Sequence, residues 1–478
     1  MSHPSRENTA LPSDSPLHGK DPEAQKSAFV SYQTTIPIRQ PIALISDQSD
    51  PATPVGREEV GGQHVYVRQV GEALAKLGWQ VDMFTRKTKP EDPAIVQHSP
   101  HCRTIRLVAG PEEFKPRHQL FPYMPEFVAA FQKFQSKEGT NYPLVHTNYW
   151  LSAWAGLQLR ETSNIQLIHT YHSLGELKYQ SVGQCPPIAK TRLTVERQIL
   201  EQANCVVATS PQEEEILREL VSSQGRIETI PCGTDIDNFR VLPQSEARTK
   251  LGLSQSDRIV LYVGRFDPRK GLETLLRACA ISQARNEGNL KLIIAGGNDP
   301  SFPDSQERSR IEQIVQELGL TEQILFVGQI GHETLPLYYT AADVCVVPSH
   351  YEPFGLVAIE AMACGTPVVA SNVGGLKFTV VPEETGLLVP AKDEAAFATA
   401  IDRILYSELW ARQLRKQAAI RVRQNFTWSG VAIQLSDLYR RLLAQSLMDE
   451  NSWHLLQAYP DKVAAQAIAP VTSFTKAS

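Results

Sequence analysis

Between residue 40 and the last few tens of residues, short apolar runs alternate with stretches whose apolar residues recur at helical spacing. Few folds accommodate that alternation, because strands joined through helices pair in parallel and need both sheet faces covered. The first run is Ile42-Ala-Leu-Ile-Ser46. A loop with Pro and Glu follows, then Gly61-Gly62, then apolar positions at Val67, Val70, Leu74 and Leu77 that predict a helix. Further strands are expected at 81–85, 104–108, 144–147, 166–171 and 205–209. A second series comprises Ile259–Val263, Leu290–Ala295, Ile324–Val327, Val344–Pro348, Pro367–Ala370 and Leu387–Val389. Residues 232–256 lack a long apolar segment and suit an interdomain linker. The expected fold class is α/β, with two doubly wound halves.

Composition narrows the function classes. Forty-seven Lys and Arg against 52 Asp and Glu leave a net charge of −5, a poor balance for a dedicated nucleic-acid binder. No apolar run approaches the roughly 18–20 residues of a membrane helix. The first twenty residues lack a secretory apolar core. Seven scattered cysteines without a CxxC pair or a Cys/His cluster fit a reducing cytoplasm better than a disulfide framework or a zinc site. Residues 1–39 and 460–478 mix Ser, Pro and charges without periodicity and read as flexible tails.

Open parallel sheets bind ligands at the carboxyl ends of their strands. The second series places its glycines and charges there: Gly264, Arg265 and Lys270; Gly296-Gly297; Gly328-Gln329; Ser349–Gly355; and Ser371–Gly375. Arg265 and Lys270 suit a diphosphate, whose growing charge they would neutralise as it departs. Glu352 lies in a loop that leads into a helix near Leu356, and Glu360 about one turn further in could accept ribose hydroxyls. Read singly, each of these is an ordinary surface charge.

The ordered strings Val263-Gly-Arg-Phe-Asp-Pro-Arg-Lys-Gly271, Pro348-Ser-His-Tyr-Glu-Pro-Phe-Gly355, Glu360-Ala-Met-Ala-Cys-Gly365 and Gly374-Gly375 resemble retaining glycosyltransferases of family 4, over most of 40–440. That resemblance implies the GT-B fold, two Rossmann-like domains facing a central cleft. It divides the chain into an acceptor-binding domain at 40–235, a nucleotide-sugar domain at 236–440 and a helix at 441–459 that crosses back to the first domain. Arg265 and Lys270 would hold the donor diphosphate, Glu352 the transferred sugar and Glu360 the ribose. Gly62, Ile330, Phe354, Gly355 and Leu356 would complete the donor site. His172, in His169-Thr-Tyr-His-Ser-Leu-Gly175, would contact the donor sugar, and with Glu352, Arg265 and Lys270 makes up the expected catalytic set.

Three features are similar to the sucrose-phosphate synthases of that family. They are the string Lys115-Pro-Arg-His-Gln-Leu-Phe-Pro-Tyr-Met-Pro-Glu-Phe127, the run His172-Ser-Leu-Gly-Glu-Leu-Lys178, and Arg192 four residues before Glu196. The resemblance implies transfer of glucose from UDP-glucose, with ADP-glucose left open, to fructose 6-phosphate. Gly61, Gln63, Lys115, Tyr149, Lys178 and Arg192 would line the acceptor side. No cofactor or metal is required, with Mg2+ admitted only as an activator through the phosphates. Longer members add a phosphatase-like domain for which this chain ends too soon. The product is therefore expected to leave phosphorylated, for a separate sucrose phosphatase. Gly61-Gly62-Gln63-His64 and the Gly-Thr-Asp-Ile-Asp linker are also close to the inositol-phosphate-accepting branch, which stays open. Sucrose synthases, acting on fructose, share the sugar chemistry but carry a long N-terminal region.

Overall fold

The structure, a computed structural model, describes residues 39–53, 62–182, 186–297 and 304–458. The expected tails, Arg39 apart, and Gly61 lie outside these residues. The first sheet holds β1 (Gln40–Ile45), β2 (Trp79–Arg86), β3 (Ile95–Ser99), β4 (Cys102–Leu107), β5 (Leu144–Asn148), β6 (Gln166–Thr170), β7 (Cys205–Ala208) and β8 (Ile227–Thr229), in the order 3-4-2-1-5-6-7-8. The second holds β9 (Arg258–Val263), β10 (Leu290–Ala295), β11 (Ile324–Gly328), β12 (Val344–Val347), β13 (Val368–Ser371) and β14 (Gly386–Val389), in the order 11-10-9-12-13-14. All pairings are parallel except β3 with β4. This is the doubly wound α/β architecture that the apolar alternation predicts.

Burial explains the near-continuous apolar strands. Ile42 to Ile45 are at most 1% exposed, as strands covered on both faces must be. The helix Gly62–Lys76 lays Tyr66, Val67, Val70 and Leu74 onto the sheet. It approaches closely, since a Cβ on Gly71 would sit 2.8 Å from the Met83 sulfur. Each fully buried Leu or Val in such a face contributes roughly 1.5–3 kcal/mol.

The chain reverses its strand order between β1 and β5 in one sheet and between β9 and β12 in the other. At these switch points the carboxyl ends splay apart and leave a crevice. The two domains are joined twice. Thr234 pairs with Thr427 in a parallel bridge, and the Thr234 amide donates to the Phe426 carbonyl at 2.8 Å. The last helix, Trp428–Ala458, then lies on the first domain. Trp79 Nε1 donates to Ser436 Oγ at 2.8 Å, and His146 Nδ1 bonds the Tyr439 hydroxyl at 2.6 Å. The boundary expected at 440 falls inside this one unbroken helix. Among the described residues no helix is long and apolar enough to cross a membrane.

Candidate active site

The end of β9 is built for close approach. A Cβ on Gly296 would lie 2.1 Å from the Gly264 carbonyl, so both turns need glycine-like backbone. Asp267 caps the short turn Pro268–Lys270 by accepting from the Arg269 amide at 3.0 Å, and the Arg269 guanidinium grips the same carboxylate. Gly271 closes the turn at φ +69°, where a Cβ would meet the Pro348 carbonyl at 2.0 Å. The turn thus aims Lys270 across the crevice at Glu352, whose Oε2 accepts from Lys270 Nζ at 2.6 Å and from Ser349 Oγ at 3.2 Å. Arg265 remains 55% exposed, 3.8 Å from Asp267. It is the loosely held cation of the pair.

Glu352 is held from behind as well. The Gly375 amide donates to its carbonyl at 3.0 Å, and a Cβ on Gly374 would stand 2.2 Å from that oxygen. Gly355, at φ +98°, opens the helix Leu356–Ala363 and leaves backbone N–H groups at its first turn. Leu356 points at the first domain, where a Cβ on Gly62 would lie 2.8 Å from its Cδ1. Phe354 turns its ring into the core against Phe426, 5.7 Å between centroids, so it can offer the crevice only its backbone. Ile330 stands half-buried just beyond β11. Glu360 accepts from the Tyr339 hydroxyl at 2.8 Å. Burial pushes its carboxyl up to about 7, with the Tyr339 bond opposing.

From the first sheet, Gln63 donates to Ser46 Oγ at 3.0 Å and to the Asn148 carbonyl at 3.3 Å, linking the ends of β1 and β5. His172 follows β6 at φ +59°, a left-handed conformation unusual for a residue with a side chain. Asn148 Nδ2 donates to the Ile45 and His146 carbonyls at 3.3 and 3.4 Å, which turns Oδ1 toward His172 Nε2 at 2.9 Å. Nε2 therefore carries the proton, and Nδ1 is free to accept. Burial pulls the imidazole down to about 3, so it is neutral. A neutral acceptor suits a sugar hydroxyl.

Beside these groups lies a cavity of about 650 Å³ lined by Arg117, Tyr149, Trp150, Lys178, Tyr179 and Arg192, among others. Tyr149, at φ +75°, sits at the end of β5. Lys178 is half-buried, and its ammonium is brought down to about 8, chiefly by burial and then by Arg192 and Arg117. Arg192 is 2% exposed; its Nε bonds Glu196 Oε1 at 2.7 Å, its Nη2 donates to the Ser173 carbonyl at 2.8 Å and its Nη1 to the Tyr149 hydroxyl at 3.3 Å. Arg192 is thus as much a structural clamp as a cavity cation. Lys115 is not among the lining residues. It pairs with Glu113 at the surface at 2.5 Å, because the turn Arg117–Gln119 presents Arg117 to the cavity instead.

Sequence reasoning passed over Arg117, though the quoted loop contains it two residues beyond Lys115. It also passed over Asn148 and Tyr339, whose roles depend on contacts between distant segments. Among the described residues no group of three or more His, Cys, Asp or Glu is placed to hold a metal ion. The arrangement offers two cations and backbone amides for a diphosphate, a carboxylate and a neutral imidazole for a sugar, and a cationic cavity for an anionic second substrate.

Known proteins share this arrangement of domains. Residues 243–422 match the family described as glycosyl transferases group 1, and residues 61–233 match a glycosyl transferase 4-like domain. The D-inositol 3-phosphate glycosyltransferase of Corynebacterium efficiens is 36% identical over 407 residues, 83% of this chain and 94% of that protein. The solved structure of sucrose-phosphate synthase from Thermosynechococcus elongatus is 57% identical, with a TM-score of 0.79, covering 85% of this chain and 100% of that one. Anabaena HepE, solved in complex with UDP and glucose, is 20% identical with a TM-score of 0.66, over 84% of this chain and 100% of that one. That last likeness concerns the fold alone.

Proposed function

This chain belongs to the family 4 glycosyltransferases with the GT-B fold, and we propose that it moves glucose from UDP-glucose to the C2 hydroxyl of fructose 6-phosphate. The products are sucrose 6-phosphate and UDP, with the glucose configuration retained. The observation that carries this reading is the cationic cavity of Arg117, Lys178 and Arg192 beside the crevice, in a chain 57% identical to a sucrose-phosphate synthase.

In this reading Arg265 and Lys270 take the donor diphosphate, with the amides at the start of the helix after Gly355. Arrival of the diphosphate gives Lys270 a second anion to share with Glu352, freeing that carboxylate to face the transferred sugar. Glu360 accepts the ribose hydroxyls, and His172 Nδ1 accepts a hydroxyl of the glucose. The C–O bond to the diphosphate breaks as the acceptor oxygen approaches the same face, and a diphosphate oxygen takes the acceptor's proton. Positioning and charge stabilisation supply the catalysis, so no side-chain nucleophile is assigned. No step is routed through a metal; Mg2+ would act only as an activator on the phosphates. The reaction is placed in the cytoplasm, and a separate phosphatase would consume the product.

A second reading, an inositol phosphate acceptor, is favoured by relatives such as the 36% identical Corynebacterium enzyme. Both acceptors carry a phosphate, and the same cavity would serve either. A matrix of UDP-glucose, ADP-glucose and UDP-N-acetylglucosamine against fructose 6-phosphate, fructose and inositol 3-phosphate tests the choice, with products identified by mass spectrometry and NMR. Sucrose 6-phosphate as the main product is expected. Turnover only with inositol phosphate, or equally with unphosphorylated fructose, would overturn the fructose 6-phosphate assignment.

A further inference from the structure

The amino ends of the second sheet, on the side away from the crevice, enclose a larger cavity of about 980 Å³. Arg258 opens β9, Asn289 precedes β10, Asp343 precedes β12 and Gly365 precedes β13, and all four line it. Six cations line it against three carboxylates, Asp257, Asp343 and Glu408, in a chain whose net charge is −5. An excess of positive charge concentrated in one concavity of an acidic protein attracts anions.

Not all six cations are available. Arg248 engages all three nitrogens, donating to the Ala341, Gln255 and Asp257 carbonyls at 3.0, 2.9 and 3.1 Å and pairing with Asp343 at 2.8 Å. Arg258 donates to the Leu405 carbonyl and stacks on Tyr406, and Arg412 pairs with Glu408. Arg415 is different. Among the described residues only its Nη2 finds partners, the Ala342 and Asp343 carbonyls at 3.0 and 3.4 Å, with the Asp343 carboxylate 3.6 Å away. Burial lowers its pKa, Asp343 opposes that and Arg248 adds to it. Lys416 and Arg423 have no carboxylate partner among the described residues, and they lie two turns apart on one face of the helix Glu408–Asn425. Two turns are about 10 Å, within joint reach of their side chains. The wall holds Thr340, 2% exposed, whose hydroxyl borders the Cys364 thiol.

We propose that this cavity is a second anion site, taking a phosphate group, free or carried on a small sugar, between Arg415, Lys416 and Arg423. The guanidinium fork matches phosphate oxygens, and an ammonium adds a point charge. The site is separate from the crevice and does not depend on the acceptor assignment.

Calorimetry on the full chain tests it, with inorganic phosphate in one arm and ribose 5-phosphate in the other. The titrations are run on wild type and on Lys178→Ala, which weakens the crevice pocket by removing one of its three cations. One binding event should persist in Lys178→Ala, weakened at least about 10-fold by Lys416→Ala and by Arg423→Ala. Both side chains are exposed, so melting temperatures should stay near wild type. Equal affinity in the two arms would assign recognition to the phosphate alone; tighter ribose 5-phosphate binding would assign it to a sugar phosphate. The proposal is overturned by no binding at millimolar phosphate, by binding that vanishes in Lys178→Ala, or by unchanged affinity in both Lys416→Ala and Arg423→Ala. Saturation by polyglutamate but by neither phosphate would also overturn it, making the cavity a face for an acidic macromolecule.

Discussion

Replacing Arg192 by alanine should unfold the first domain more readily and weaken acceptor binding, and the two effects can be separated. Arg192 and Glu196 have side chains 2% and 1% exposed and meet at 2.7 Å. In Arg192→Ala, Glu196 keeps the Gly175 amide at 3.0 and 3.1 Å but has no counter-charge. Breaking a buried pair from one side costs about 3–5 kcal/mol. Against a typical total of about 5–15 kcal/mol, that is a large share. Urea unfolding followed by circular dichroism should therefore show a much lower midpoint. Arg192→Met combined with Glu196→Leu removes both charges and should recover most of the loss. If Arg192 also meets the acceptor phosphate, the double variant stays folded yet keeps a raised KM for fructose 6-phosphate. A wild-type midpoint in Arg192→Ala would refute the buried-pair argument. A wild-type KM in the stable double variant would confine Arg192 to scaffolding.

Three further outcomes are expected. Lys178→Ala should raise the acceptor KM about 10- to 150-fold with little change in stability, the scale of one charge-assisted hydrogen bond of about 1.5–3 kcal/mol; because burial brings this ammonium down to about 8, kcat/KM for the acceptor should fall as pH rises through that value, and Lys178→Arg should flatten the fall. Glu360 must lose its proton before it can accept two ribose hydroxyls, so UDP affinity measured by calorimetry should climb as pH rises through about 7 and level off above it, while Glu360→Gln should be weak at every pH. Lys270→Ala should cut turnover roughly 10²–10³-fold, the usual cost of losing a preorganised contact to a leaving group, with a near-normal melting temperature; unchanged turnover would remove Lys270 from the diphosphate site.

The six strands of the second sheet are legible in the sequence to within a residue or two, because each reads as a continuous apolar run, buried in the central strands and kept even in edge strand β11, where Leu325 is exposed. In the first sheet β3 and β8 escape notice. Both are edge strands, with Gln97-His98-Ser99 in one and Glu228 in the other, and no residue of either is fully buried. Site residues at strand ends were equally legible, since topology puts such ends together. Their partners were not. Nothing in spacing pairs Tyr339 with Glu360 or Asn148 with His172, and only the turn geometry decides that Arg117 rather than Lys115 enters the cavity. The four-residue step from Arg192 to Glu196 was visible, but its burial was not.

The last helix carries a consequence for how the chain comes to be folded. Val431, Leu435, Leu438 and Tyr439 are buried in the same core cluster as Leu74 and Trp79, some 350 residues earlier in the chain (Trp79 and Ser436 are 357 apart). A chain emerging from the ribosome completes its early domains first where it can. Here the earlier half stays unfinished, with Leu74 and Trp79 uncovered, until the final helix has been made. Such long sequence separation slows folding and prolongs exposure of an apolar face. Residues 40–235 made alone should aggregate, whereas the same segment supplied with a peptide spanning 426–448 should become soluble and protected. The first domain is, in effect, split across the chain, and its later fragment sits behind the whole of the second.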